Sequence, residues 1–172
     1  MNEYTAWREG LKKLNIPKWD DLPNIELYMD QVVAYVNTVL EPLPMPPITP
    51  AMVNNYVKKQ VLMAPKKKKY QAMQIADIII ISMLKPVFSI EEIRAAIDQI
   101  TVNDFPKNAY DTFVDALEDR FNGIMDTDFA DDNLSLQLMR NAANIIYNKM
   151  EAEHILDVLS RRTPVKTAPL KK

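Results

Sequence analysis

The stretch TPAMVNNYVKKQVLMAPKKKKYQAMQIADIIIISMLKPVFSIEEI, residues 49–93, opens on a helix start written in two residues. The Thr49 hydroxyl can cap free amides, and the Pro50 ring already holds the φ of a first helical position, which predicts a helix from Pro50 to about Gln60. After it come Val61-Leu62-Met63-Ala64-Pro65, four lysines (Lys66 to Lys69) and Tyr70. The proline and the loss of helical apolar spacing predict an extended, hairpin-like excursion. Its adjacent lysines repel one another and must be exposed. Met73 to Leu84 is apolar almost throughout and stops ahead of Pro86, so it reads as a buried helix. Ser89-Ile90-Glu91-Glu92 is a capping box, opening a helix from Ile90 to Ile100 that buries Ile90, Ile93, Ala96, Ile97 and Ile100.

Outward from this stretch the chain stays helical. Tyr4, Trp7, Leu11 and Leu14 recur three or four residues apart, one face of a short helix. Ile25, Tyr28, Met29, Val32, Val33, Val36, Val39 and Leu40 predict a helix with Asn24 as N-cap. Pro42, Pro44, Pro46, Pro47 and Pro50 then impose a stiff, non-helical connection. Downstream, Pro106 opens a helix that passes through Phe113, Leu117 and Phe121 and ends at Gly123. An acidic loop, Asp126 to Asp132, leads to a long helix from Asn133 to Arg161, and Thr163 to Lys172 reads as a disordered tail. The expected fold class is all-α, mainly helical, with one small wing.

The 172 residues are 48% apolar and 26% charged, the composition of a chain that folds. With no cysteine, disulfides, cysteine zinc sites and thiol nucleophiles are excluded. Two glycines, Gly10 and Gly123, cannot form a phosphate-cradling loop, and the single His154 leaves no convincing acid/base pair. The expectation is a binding protein and not an enzyme, with no cofactor, no metal site and no small-molecule effector that the sequence names. The N-terminus has no signal-like apolar run, and Ile75 to Phe88 is interrupted by Asp77 and Lys85, so the chain is expected to be cytoplasmic with no membrane span. Asp126, Asp128, Asp131 and Asp132 do not fit a calcium loop, because Ala130 and Asp131 occupy positions that need an oxygen ligand and a glycine. A dipole-complementing acidic turn accounts for them better.

The net charge of −2 hides an uneven distribution. Residues 48–100 carry eight basic and four acidic side chains, and Ile48 to Ala76 carries six lysines and no acid. Such a local patch is a directed field for a polyanion.

The order of capped helix, basic excursion, buried helix and second capped helix resembles the winged helix-turn-helix of MerR-type transcription regulators over residues 49–93. Thr49 matches that family's capping serine, Val53 its core leucine, Tyr56 its second tyrosine, Val61-Leu62 the exit into the wing and Tyr70 the tyrosine closing it. Gln74-Ile75 matches an Asp-Leu pair, and Phe88-Ser89-Ile90-Glu91-Glu92-Ile93 matches Phe-Ser-Leu-Glu-Glu-Ile. Asn54 stands where the family has arginine, and Gln60 and Val87 where it has glycine. The added helical half resembles a poorly characterised bacterial family carrying such a module. The resemblance implies a DNA-binding domain over 1–102, a helical dimerisation or effector region over 103–162 and a tail over 163–172.

It also implies a sequence-specific, double-stranded DNA-binding transcription regulator. The residues expected at the DNA are Thr49, Asn54, Asn55, Tyr56, Lys58, Lys59, Lys66, Lys67, Lys68, Lys69 and Tyr70. Independently of the resemblance, asparagine amides on a helix can pair with adenine edges, and flanking lysines can neutralise phosphates. An isolated lysine run is more often a solvated loop, but here it adjoins a capped polar helix. A homodimer is expected through Met139, Ile146, Met150, Ile155 and Leu159 of the long helix, against the alternative that these complete a monomeric bundle. The competing function is a helical protein–protein adaptor that does not bind DNA.

Overall fold

Ile75, Ile78, Ile79 and Ile81 are fully buried in a helix that has almost no solvent-facing side, α4 (Ala72–Leu84). The computed structural model describes residues 2–125 and 133–163. The expected acidic turn at 126–132, and the tail beyond Thr163, lie outside the described residues. Around α4 stand α1 (Glu3–Leu11), α2 (Met29–Leu40), α3 (Pro50–Lys58), α5 (Ile90–Thr101), α6 (Pro106–Phe121) and α7 (Leu134–Arg162). Two-residue strands β1 (Leu27–Tyr28) and β2 (Lys69–Tyr70) pair antiparallel. The protein is thus mainly helical with one very small sheet. α4 touches α2, α5, α6 and α7, and the buried residues form one cluster from Leu11 to Met150.

Helix starts follow local chemistry. Asn2 caps α1 by accepting from the Thr5 amide, and Asn133 caps α7 by accepting from Leu136. In the Ser89 box, the Glu92 amide donates to the Ser89 hydroxyl at 3.2 Å and the Ser89 amide donates to the Glu92 carboxylate at 2.8 Å. The start of α2 corrects the sequence reading. Asn24 is not its cap and Ile25, 66% exposed, is not on its buried face. Leu27 and Tyr28 are held extended by pairing with β2, and the Gln31 side chain accepts the Tyr28 amide at 2.9 Å.

Two side-chain amides, one half-buried and one buried, fix the connections. Asn37 on α2 donates to the Ile48 carbonyl at 3.0 Å and accepts its amide at 2.8 Å, so one side chain pins the proline-rich connection as a neighbouring strand would. Gln74 on α4 accepts the Gln71 amide at 2.8 Å and donates to the carbonyls of Met63 and Ala64 at 3.0 and 3.1 Å. The excursion between α3 and α4 is therefore tied to α4 at its root. α5 is joined to α4 by Arg94, which donates to Asp77 at 2.9 Å and also pairs with Asp98.

α1 lies on the far part of α7. Trp7 stacks on His154 with ring centroids 4.8 Å apart, and the Tyr4 hydroxyl donates to Glu151. α6 and α7 pack along each other, with the Arg120 guanidinium 4.1 Å from the Tyr147 ring centroid. No described helix is long and apolar enough to cross a membrane.

Replacing Gln74 by leucine keeps the volume and deletes three hydrogen bonds. Because the freed Met63 and Ala64 carbonyls lie on exposed residues and can recruit water, the expected destabilisation is about 2 kcal/mol, read from urea unfolding, with faster exchange of the Lys69 amide. A variant as stable as the parent removes Gln74 from the anchor.

Burial raises the Asp77 carboxyl above its ordinary range, although the Arg94 guanidinium opposes this. The folded state therefore holds the Asp77 proton more tightly than the unfolded chain, and its contribution to stability declines as pH rises from the ordinary aspartate value of about 3.9 through the raised one. Asp77→Asn removes that titration. The stability of the parent relative to this variant should shrink between pH 4 and pH 7 in urea midpoints; a growing advantage would show that the ion pair outweighs desolvation.

Candidate nucleic-acid interface

α3 turns one face inward and one outward. The Thr49 hydroxyl accepts the Met52 amide at 3.3 Å, Pro50 takes the first position, and Val53 and Tyr56 enter the core. Asn54, Asn55 and Lys58 are left on the outer side, all three exposed. The helix ends with the Val61 amide donating to the Tyr56 carbonyl and the Gln60 amide to that of Val57, both at 3.0 Å. This double bond closes a helix only if the residue after its cap is left-handed, and Gln60 has φ 59°. α6 ends by the same pattern on Gly123, φ 78°, where the missing side chain makes the geometry cheap. At Gln60 it costs about 1–2 kcal/mol. The turn delivers Val61 and Leu62 into the core.

The lysine run is a tight hairpin. The Lys66 and Lys69 backbones exchange hydrogen bonds at 3.1 and 2.9 Å, and Lys67 and Lys68 between them have φ of 50° and 64°. Two left-handed residues make the turn whose twist matches antiparallel strands, a place usually filled by Asn-Gly. Lysine carries strain there, yet Lys66, Lys67 and Lys68 stand exposed with no ion pair among the described residues. Lys69 lies with its ammonium 5.4 Å from the Tyr28 ring centroid, which ties the base of the hairpin to β1. Both α3 and β2 pack on α2, so one helix carries the polar face and the basic tip.

The expected site residues divide. Thr49, Asn54, Asn55, Lys58 and Lys66 to Lys68 are on the surface, with Thr49 spent on its cap, and Lys69 is half-buried. Lys59 is exposed but paired with Glu91 of α5 at 2.9 Å, which holds that carboxyl below its usual range. Tyr56 and Tyr70 correct the sequence reading: each is 2% exposed, a core residue and not a groove contact. Burial pushes both phenols up, and the Tyr56 hydroxyl has no hydrogen-bond partner among the described residues. Their apolar rings fill space beneath α3 and the hairpin, which is why the tyrosine pattern is there.

Of the residues expected at a dimer contact, Met139, Ile146 and Met150 are buried within the protomer, covered by the bundle. Ile155 and Leu159 are exposed, and beside them is Leu156, 64% exposed, which the apolar period does not single out. Nor does any sequence signal single out Asn37, and Gln60 is marked only by the family resemblance, which has glycine there. For Gln74 the signal is the Gln71-x-x-Gln74 spacing, since glutamine at the third helical position caps the residue before the helix. Among the described residues no group of three histidines or carboxylates could hold a metal.

A family model described as a domain of unknown function, DUF1836, matches residues 17–113, from the segment before β1 to the middle of α6, and so spans α3, the hairpin and both capped helices. No curated protein and no solved structure matches the chain. The match takes in more than half of the sequence, and the chain belongs to the DUF1836 family.

Proposed function

We propose that this protein binds duplex DNA as a transcription regulator, with α3 as a major-groove helix and the 66–69 hairpin as a wing on the phosphates. The observation that carries the reading is the uncompensated lysine tip. In a chain of net charge −2, Lys66, Lys67 and Lys68 have no ion pair among the described residues, and two of them are held at a backbone cost. Strain retained in a well-anchored turn is the mark of a position selected for something other than stability. Asn54 and Asn55 on the adjoining helix supply bidentate amides for base edges, and Lys58 supplies a further cation for a phosphate. The left-handed Gln60 fits the resemblance to MerR-type regulators, because it occupies that family's glycine position. A specific observation favours an adaptor as second reading: Val102 and Phe105, at the α5–α6 junction, are 70% and 77% exposed.

Salt separates the two, because counterion release belongs to phosphate binding alone. Alanine at Lys66, Lys67, Lys68 and Lys69 together should weaken binding to every duplex and reduce the slope of log affinity against log salt by about 0.9 for each phosphate no longer neutralised. Asn54→Ala or Asn55→Ala should instead relax preference among sequences by about 1–3 kcal/mol. Affinity and slope untouched by the lysine changes would remove the wing, and unaltered discrimination in both asparagine variants would remove the recognition helix.

A regulator of this design gains specificity by pairing two modules on a two-fold site. With Met139, Ile146 and Met150 inside the protomer, pairing falls to Ile155, Leu156 and Leu159 on the outward face of α7. Sedimentation at micromolar concentration should show a dimer that Leu156→Ser with Leu159→Ser converts to a folded monomer. A monomeric parent, or a dimer indifferent to the substitutions, rejects the pairing.

A further inference from the structure

α4, α5, α6 and α7 line an apolar cavity of about 320 Å³ that opens to solvent on one side. Its cause is visible in the sequence: each of the four helices places one alanine on the wall, Ala76, Ala96, Ala109 and Ala142 respectively. Where four helices meet, larger side chains would interdigitate and close the space. Around the alanines, Ile80, Ile97, Ile100, Phe113 and Ile145 supply aliphatic and aromatic surface.

The polar side chains on the wall are already engaged. Asp77 is paired with Arg94, and Glu92 accepts from Ser89. The Thr101 hydroxyl donates to the Ile97 carbonyl at 2.8 Å, and the Tyr110 hydroxyl donates to the Pro17 carbonyl at 2.9 Å. That leaves Asn141, exposed on α7, to meet a polar group at the edge. A charged ligand would give up its hydration inside and find no free counter-charge among the described lining residues. A neutral apolar ligand has no such hydration to give up. Size narrows the class further, since an apolar cavity of about 150 Å³ suffices for benzene and this one is about twice as large.

We propose that this cavity is a binding site for a neutral, apolar small molecule of about two ring systems, held between the helices that follow the hairpin and the C-terminal pair. The site stands independently of DNA binding. Its occupant touches all four helices at once and therefore stabilises the folded chain increasingly with its concentration.

The test uses N-phenyl-1-naphthylamine, a neutral fluorescent probe, beside 1-anilinonaphthalene-8-sulfonate, its sulfonated counterpart, on the full chain. The neutral probe should bind one per chain and raise the melting temperature, and the anion should bind at least about tenfold more weakly. Ala96→Phe and Ala142→Phe, which fill the space from residues that are half-buried, should each weaken the neutral probe by about tenfold or more, while Ile25→Ser, at an exposed position away from the cavity, leaves it unchanged. If a phenylalanine variant does not fold, nuclear Overhauser contacts from the probe to the methyls of Ile97, Ile100 and Ile145 in the parent decide the matter. Equal binding of the anion, several probes per chain, binding indifferent to both phenylalanines, contacts elsewhere, or no binding because a second copy of the chain covers the opening would each overturn the proposal.

Discussion

A helix that is apolar around its whole circumference cannot lie on a surface. Ten of the thirteen residues of α4 are buried, so nearly every direction around it has to be covered by another element. α2 covers one side, α5 another, and α6 and α7 the remainder. That single requirement sets the architecture, because elements before and after residues 49–93 have to return to the same helix. It also explains how so small a hairpin can be well ordered. A two-stranded sheet is marginal by itself. Here its partner strand leads directly into α2 and its root is bonded to α4 through Gln74, so both ends are fastened to the part of the protein that cannot move independently.

Electrostatics is arranged on this frame by separation. Several acids and bases elsewhere pair with each other, as Lys18 does with Asp115, Lys107 with Asp20 and Arg161 with Asp157. Such surface pairs contribute little to stability, but they cancel charge locally. Among the described residues the hairpin tip takes no part in such pairing. A field that survives in a chain with excess acid must come from where charges are placed, and the hairpin places them at the end of a projecting turn.

Local rules make much of this legible in the sequence. Thr49-Pro50, the Ser89 box, Asn133 and Gly123 act through bonds spanning a few residues, and each marks its element where the structure has it. The all-apolar run announces α4. Strand β1 is not legible, since Leu27-Tyr28 also fits a helical period and becomes a strand only because Lys69-Tyr70 lies alongside, more than forty residues away. The same holds for site residues. Exposure of Asn54 and Asn55 follows from the period of one helix, whereas the fate of Tyr56 and Tyr70 depends on what covers them. On α7 the apolar period locates a buried stripe but not which of its members continue past the covering helices into solvent. Gln60, Lys67 and Lys68 take a backbone conformation that their residue types disfavour, so no propensity could announce it.

The docking of α1 on α7 has a consequence for how the chain assembles. Trp7 meets His154, Tyr4 meets Glu151 and Glu3 meets Arg161, contacts between residues about 150 apart in sequence. On a ribosome α1 is made well before α7, the surface that shelters its tryptophan. The early chain can gather α2 to α5 around the apolar helix while Trp7 remains open to whatever else is nearby. Completion of α7 then acts as the closing step, sheltering an aromatic helix that left the ribosome long before its cover existed.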